Sequence, residues 1–481
     1  MNNCTIYFLP SGRSVTVSGG TVYEAMIQAG LYPNAPCGGS GSCGKCKVEI
    51  HGKTVLACRT PADHSMIVSI PAEQLQILTS NGSIHTGGDA EHEYVLALDL
   101  GTTTIAGAVL DGKTGRILAE SGCVNPQRAW GADVITRIRY TLREDPDKLR
   151  NSVRIALSGL TAELAAKAEI DPAQISLACM VCNTAMHHLL LGIDLSPLVT
   201  PPYMPAVREA LEIFPDGILP IGGSIRILPN IAGFIGADTT GCMIAAKLDQ
   251  EKAITLLLDI GTNGEMVLGN KEHRIACSAA AGPAFEGAGI SCGMSANKGA
   301  VDHVWLENED VHYSVIGNCE PKGLCGSGLM DLAAVLLKLK IIDASGRMKG
   351  KTFTIPGTHI SLTQKDIRQL QLAKGAIRAG IELMAEHMGI PFSDIEQVKL
   401  AGAFGNYLNP ESAVAIGMIP EELKDRIIPI GNAAFAGAKI CALRQERFEM
   451  SKQLSQQTSF LELASVPSFQ SRFISCLNFP T

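Results

Sequence analysis

The chain has 481 residues, 40 basic and 47 acidic side chains, a formal net charge of -7 and 46% hydrophobic residues. That length exceeds one ordinary core and implies several folding units, while the acidic balance and the lack of a Lys/Arg block argue against a phosphate-backbone footprint, so no nucleic-acid partner is expected. Apolar runs such as AITLLLDIG (253–261) are short and broken, far below the ~20 residues of a membrane span, and no membrane partner is expected.

The opening stretch MNNCTIYFLPSGRSV has no basic region leading into an apolar one and no small-residue cleavage site, so the expected compartment is the cytoplasm. The 15 cysteines then read as thiols and metal ligands rather than disulfides. In chain order, residues 1–72 predict a strand at 5–8, a turn at Ser11 and Gly12, a strand at 14–18, a helix at 21–30, a cysteine-rich loop, and strands at 47–50 and 67–70. Two strands, a helix and further strands are the order of a β-grasp ferredoxin. Residues 73–93 are polar and aperiodic, with Asn81-Gly82 and Gly87-Gly88 as turn signals, and predict a flexible linker.

Cys37, Cys43 and Cys46 lie in PCGGSGSCGKC (36–46), and Cys58 follows in TVLACRT (54–60), giving C-x5-C-x2-C-x11-C. Four thiolates so spaced suit a [2Fe–2S] cluster with one cysteine pair on each iron. Gly38, Gly39, Gly41 and Gly44 let the backbone wrap closely and aim N–H groups at the sulfides, at φ values other residues avoid. Structural zinc is the rival, although its cysteines usually come as two C-x-x-C knuckles. The embedded Gly39, Gly41, Gly44 pattern mimics a dinucleotide fingerprint but does not join a strand to a helix. With its surroundings, this domain resembles adrenodoxin-type and plant-type ferredoxins, with a shorter interval before Cys58. Cys179 and Cys182 form a C-x-x-C without a second pair and read as core thiols.

From Tyr94 onward strands and helices alternate, and two openings resemble each other about 160 residues apart: VLALDLGTTTIAGAVLD (95–111) and LLLDIGTNGEMVLG (256–269). The duplication predicts two α/β lobes within 94–481: lobe I at about 94–245, lobe II at about 246–445, then a C-terminal helical tail, 446–481. In each opening an Asp ends a strand and a Gly-Thr turn follows. The glycines admit phosphate oxygens to backbone N–H groups, the threonine hydroxyls add donors, and the Asp can hold Mg²⁺ through water. Alone, D-x-G-T is also an ordinary hairpin turn. A third glycine-rich turn, LAGAFGNYL (400–408), offers small residues against which an adenosine can lie flat.

Together these features resemble the superfamily of acetate and sugar kinases, heat-shock-cognate ATPases and actin, the two-lobed actin-like (ASKHA, ribonuclease-H-like) fold. The resemblance implies ATP and Mg²⁺ as ligands, a first phosphate loop of Asp99, Gly101, Thr102 and Thr103, a second of Asp259, Gly261, Thr262 and Asn263, and an adenosine wall of Gly402, Ala403, Phe404 and Gly405. It also implies that stretches near 233–242 and 432–441 cross between the lobes. Asp238 precedes the second loop by about the interval of the catalytic Asp in sugar-kinase relatives, which implies a part in orienting the attacking water; the other reading is a helix-capping Asp. The expected fold class is α/β and α+β multidomain.

A kinase needs no iron–sulfur cluster and a simple ferredoxin needs no ATPase. Their fusion implies nucleotide energy assisting an uphill electron transfer, each ~59 mV being a tenfold change for one electron. The stretches at 125–138, 183–198, 281–296, 323–332 and 461–479, with the ferredoxin domain, resemble the reductive activators of corrinoid proteins. That resemblance implies ATP-dependent transfer of electrons from the cluster to an inactive Co(II) corrinoid protein of a methyltransferase system, restoring Co(I). It implies a low-potential donor of ferredoxin or flavodoxin type and leaves a homodimer open. Longer members carry an extra domain between linker and first phosphate loop that this sequence lacks. The alternative enzyme is an activator of radical dehydratases or arene reductases; the alternative of another class is a non-catalytic redox and nucleotide sensor. His187 and His188, adjacent on a helix, point to different faces and read as packing residues rather than cobalt ligands. Glu286 and Asp331, beside glycine-rich turns, read equally as caps or as contacts to Mg²⁺ or ribose.

Overall fold

The computed structural model describes residues 3–480 except 34, 36, 42, 43, 72–90, 132, 262 and 403–407. Among the sequence expectations, Cys43, Thr262, Ala403, Phe404, Gly405 and the linker as far as residue 90 lie outside the described residues. Near the N-terminus a capping box sets the first helix: the Thr21 N–H donates to Glu24 Oε2 (2.8 Å) and the Glu24 N–H to Thr21 Oγ1 (3.3 Å). Helix Val22–Gln28 lays Val22, Ala25 and Met26 on the core of a five-stranded sheet. Its order is Arg13–Val17, Cys4–Leu9, Met66–Ser69, Lys47–Ile50, Lys53–Leu56. Cys4–Leu9 pairs antiparallel with Arg13–Val17 and parallel with Met66–Ser69, and alternation places Ile6 and Phe8 inside. Lys53–Leu56, an edge strand with two exposed residues, is the one that periodicity missed.

The two repeated openings become the central hairpins of two six-stranded sheets. In the first, the order is Leu211–Ile213, Ser224–Ile227, Ile175–Cys182, Tyr94–Leu100, Thr104–Asp111, Ile117–Val124. In the second it is Ile427–Gly431, Gln397–Ala401, Thr255–Ile260, Gly264–Gly269, Arg274–Ala279, Thr458–Phe460. In both, the hairpin's first strand pairs parallel with a strand reached by a crossover, and its second strand continues antiparallel to a third. The C-terminal stretch, expected to be helical, carries helices Gln445–Gln457 and Phe469–Ser475 but also the strand Thr458–Phe460, which pairs with Arg274–Ala276.

Alternation along the hairpin strands decides what faces the space between the sheets. Leu96, Leu98 and Leu100 pack into one lobe's outer core, and Leu256, Leu258 and Ile260 into the other's. Val95, Ala97 and Leu257 instead share a single core with helices Ala237–Ala245 and Ala433–Leu443. Asp99 and Asp259, two residues beyond Ala97 and Leu257, therefore share this inner face. The two helices cross backbone on backbone: a Cβ at Gly437 would run into the Gly241 carbonyl, and one at Gly241 would lie 3.0 Å from the Ala434 carbonyl oxygen. Among the described residues no helix is long and apolar enough to cross a membrane.

Candidate functional site

Each predicted phosphate loop closes on itself. The Gly101 N–H donates to the Thr104 carbonyl (3.0 Å) and the Gly261 N–H to the Asn263 carbonyl (2.9 Å). The first loop is braced from behind by side chains that sequence reading gave no role. Asn183, the N-cap of helix Thr184–Leu191, donates from Nδ2 to Thr102 Oγ1 at 2.8 Å. Asn125 donates from Nδ2 to the Gly101 carbonyl at 2.8 Å, and its N–H bonds the Thr103 carbonyl. Glu286 stands between the loops: Thr103 Oγ1 donates to its Oε2 at 3.5 Å, and its Oε1 lies 3.6 Å from where a Cβ on Gly261 would sit.

The predicted acids Asp99, Asp238 and Asp259 come together, and Glu265 joins them. Hairpin register sets Glu265 directly opposite Asp259, a like-charge cross-strand pair that is unfavourable without a cation. All four are half-buried. Burial, then the charges of Asp238 and Asp259, pushes Asp99 up to about 7 against the pull of the Asn432 amide. Burial likewise pushes Asp238 up to about 7, with the Thr239 N–H opposing and the Asp259 charge adding. Asp259 is raised by burial and partly relieved by the Cys242 thiol. Glu265 is driven well above the carboxylate range by burial, then by Asp238 and Asp259.

The crossing helices serve this cluster reciprocally. Asn432, the N-cap of Ala433–Leu443, follows the second sheet yet donates from Nδ2 to Asp99 Oδ2 on the first at 3.5 Å. Cys242, on the helix that follows the first sheet, donates to Asp259 Oδ2 on the second at 3.3 Å. Asp238 lies in the first turn of that helix, and its Oδ1 accepts the Thr239 N–H at 2.8 Å. It thus satisfies a helix-end donor while sitting among the acids, so both readings of it have a basis. Gly402, with φ +87°, backs onto Asp259 closely enough that a Cβ would lie 2.8 Å from Oδ1. Among the described residues no three His, Cys, Asp or Glu side chains converge to ligate one ion directly. Clustered carboxylates that are not direct ligands fit a magnesium ion that keeps several waters and takes other oxygens from phosphate.

In the cysteine loop, Cys46 Sγ and Cys58 Sγ lie 3.2 Å apart, and Cys37 is half-buried beside the same glycine-rich turn. Gly38, Gly39, Gly41 and Gly44 all have positive φ, 62° to 85°, as the expected backbone wrap requires. Gly39 leaves room for the Tyr23 ring, and the Arg59 guanidinium donates to the Gly41 carbonyl at 2.8 Å. The thiols of Cys37, Cys46 and Cys58 beside a loop of this curvature suit a cluster held by four cysteines.

Other expectations resolve simply. Cys179 and Cys182 are fully buried and belong to different cores, as core thiols. His187 and His188 are also fully buried; His187 Nδ1 meets Asn230 Nδ2 at 3.0 Å, His188 Nδ1 meets the Thr184 carbonyl at 2.8 Å, and burial depresses both. Asp331 is taken up by His303 Nδ1 (3.0 Å) and the Val304 N–H (3.3 Å).

Residues 94–251 match the family described as the RACo middle region, and residues 253–481 the C-terminal domain of RACo, the ASKHA domain. The chain is 35% identical over 409 residues to the corrinoid activation enzyme RamQ of Eubacterium limosum, covering 78% of this chain and 68% of that protein. It is 31% identical over 300 residues to the [Co(II) methylated amine-specific corrinoid protein] reductase of Methanosarcina barkeri, covering 57% of this chain and 55% of that one. A solved reductive activator for corrinoid,iron-sulfur protein superposes with a TM-score of 0.74 at 28% identity over 99% of this chain and 98% of its own. The two central hairpins, their crossing helices and these matches place the chain in the family of reductive activators of corrinoid proteins.

Proposed function

We propose that this protein is an ATP-dependent reductive activator that delivers an electron to an inactive Co(II) corrinoid protein and restores Co(I) for methyl transfer. The observation that carries the reading is the convergence of Asp99, Asp238 and Asp259 between two Gly-Thr hairpins, in the same chain as the paired thiols of Cys46 and Cys58.

In this reading Gly101, Thr102 and Thr103 on one side, and Gly261, Thr262 and Asn263 on the other, hold the phosphates of ATP, and Gly402, Ala403, Phe404 and Gly405 line the adenosine. Asp99 and Asp259 orient the hydration shell of Mg²⁺, whose charge supplies what the clustered carboxylates lack. Asp238 orients the water that attacks the γ-phosphate, a task its raised pKa suits because it can accept a proton near neutral pH. Cys37, Cys43, Cys46 and Cys58 hold a [2Fe–2S] cluster, which supplies single electrons. Asn432 and Cys242 each tie one helix to the opposite sheet's aspartate, so closure on nucleotide moves both sheets together. A cytoplasmic setting, a ferredoxin- or flavodoxin-type donor and a homodimer complete the proposal.

The test is anaerobic. Reduced protein with Mg-ATP is mixed with a Co(II) corrinoid protein and the Co(I) absorption band is followed. Wild type should generate it, whereas Cys46→Ala and Asp259→Ala should not. Equal rates in all three would refute the coupling.

A further inference from the structure

Helix Val134–Arg143 carries Arg137, which is fully buried. Among the described residues no carboxylate pairs with its guanidinium. Instead Nη2 donates to the Thr102 carbonyl at 2.6 Å, Nε to the Gly131 carbonyl at 2.9 Å, and Nη1 faces Gln127 Oε1 (3.4 Å) and Met186 Sδ (3.3 Å). Apart from Met186, its contacts divide between the first phosphate loop and the segment 127–131.

That segment is where the N-terminal domain rests. The Tyr23 hydroxyl donates to the Ala129 carbonyl. The Trp130 carbonyl oxygen lies 3.4 Å from where a Cβ on Gly38 would sit, next to Cys37. The Trp130 ring is held between Tyr32 of the N-terminal domain (centroids 5.8 Å apart) and Tyr140 of the Arg137 helix (6.3 Å). Asn125 opens the segment and binds both Gly101 and Thr103. A continuous set of contacts therefore runs from Gly38, the neighbour of Cys37, through Trp130, Gly131 and Arg137 to Thr102.

We propose that Arg137 is a positioning residue that couples nucleotide occupancy of the first phosphate loop to the seating of the cysteine-bearing domain on residues 127–131. A buried cation with no directly paired carboxylate, on which the Asp133 charge acts only from a distance, is suited to an anion nearby. When the loop's N–H groups turn to phosphate, its carbonyls gain negative character on the opposite side. The Arg137–Thr102 bond then strengthens, and the fixed guanidinium plane transmits the change to Gly131 and Gln127. A lysine keeps the charge but cannot hold two carbonyls in one plane.

The inference rests on the proposed nucleotide role, and its test separates the two. The chain has two tryptophans, so Trp305→Phe, on an exposed site of the strand Ala300–Glu307, leaves Trp130 as the sole reporter. Full-length protein, reconstituted anaerobically with iron and sulfide, is titrated with Mg-AMPPNP while Trp130 emission and, by calorimetry, nucleotide affinity are read. The parent's emission should change on saturation. Arg137→Lys should lose that change while affinity falls less than about tenfold, the size of one indirect hydrogen bond. Tyr23→Phe, which removes only the hydroxyl seated on Ala129, should diminish the change at unaltered affinity even if Arg137 variants fold poorly. Both variants responding like the parent, or a parent that binds nucleotide with no emission change, would overturn the coupling. A parent that binds no nucleotide would overturn the proposed function, and the coupling with it.

Discussion

The sulfur atoms of Cys46 and Cys58 lie 3.2 Å apart, although eleven residues separate them and Cys58 is the proposed ligand whose interval departs from the ferredoxins the domain resembles. The short hairpin of Lys47–Ile50 and Lys53–Leu56 accounts for this: pairing Lys47 with Leu56 returns the chain beside Cys46, and one turn later Cys58 faces its partner. Cys58→Ala should therefore remove iron and the visible absorption of the reconstituted protein as completely as Cys46→Ala does. Cys319→Ser, at a thiol in the second lobe that reaches the Ile316 carbonyl, should leave both intact. Iron retained at wild-type stoichiometry in Cys58→Ala would exclude it as a ligand.

The acid cluster gives a pH dependence of definite sign. Asp99 and Asp238 titrate near 7 in the folded chain, against about 3.9 for an unperturbed Asp. Between these values the folded state holds more protons than the unfolded chain, so unfolding free energy falls as pH rises from about 4 to 7 and stays lowered above. Without nucleotide, the melting temperature should fall over this window. Asp99→Asn should flatten the profile and raise the melting temperature at pH 8 by a few degrees, as ~1–2 kcal/mol does in a large domain. Mg-nucleotide should restore stability at pH 8 in wild type. Thermal scans in Asp99→Asn that track wild type at every pH would show that this charge carries no such strain.

Asp238→Asn isolates chemistry from structure. The amide oxygen can still accept the Thr239 N–H that Asp238 Oδ1 accepts at 2.8 Å, so the helix start survives. What is lost is the ability to take a proton, together with the negative charge that helps raise Asp99 and Glu265. ATP turnover should fall by roughly 10²–10⁴, the usual contribution of a general base, with nucleotide affinity changed far less. Unchanged turnover would reduce Asp238 to a helix-end acceptor.

What the sequence made legible was what local pattern encodes. The cysteine spacing, the positive-φ glycines and the two D-x-G-T hairpins each live within about two dozen residues. Residues whose role is set by tertiary register stayed hidden. Glu265 appears in the second repeat as an ordinary strand residue, and only pairing opposite Asp259 gives it a charge partner of the wrong sign. Arg137 sits on a charged amphipathic helix where arginine ordinarily faces water, and its burial follows from where Trp130 and Thr102 pack. Thr458–Phe460 is three residues long, too short for any period, and becomes a strand because Arg274–Ala276 offers a free edge.

The helix crossing itself must transmit nucleotide state if the lobes act as one clamp. Gly437 admits the Gly241 backbone so closely that even a methyl group would collide with a carbonyl, not with the yielding end of a side chain. Relief requires the helices Ala237–Ala245 and Ala433–Leu443 to move apart. That loosens the reach of Cys242 to Asp259 and of Asn432 to Asp99 together. Gly437→Ala should then destabilise the protein by about 1–3 kcal/mol, the range of overpacked cores, and lower corrinoid reduction and ATP turnover in parallel while the cluster's spectrum is unchanged. Gly389→Ala is the control: it occupies a left-handed helix end with open space around it, so it costs stability through φ alone and should spare turnover per folded molecule. If both alanine variants lose turnover only in proportion to their unfolded fraction, the crossing supports the fold and transmits nothing.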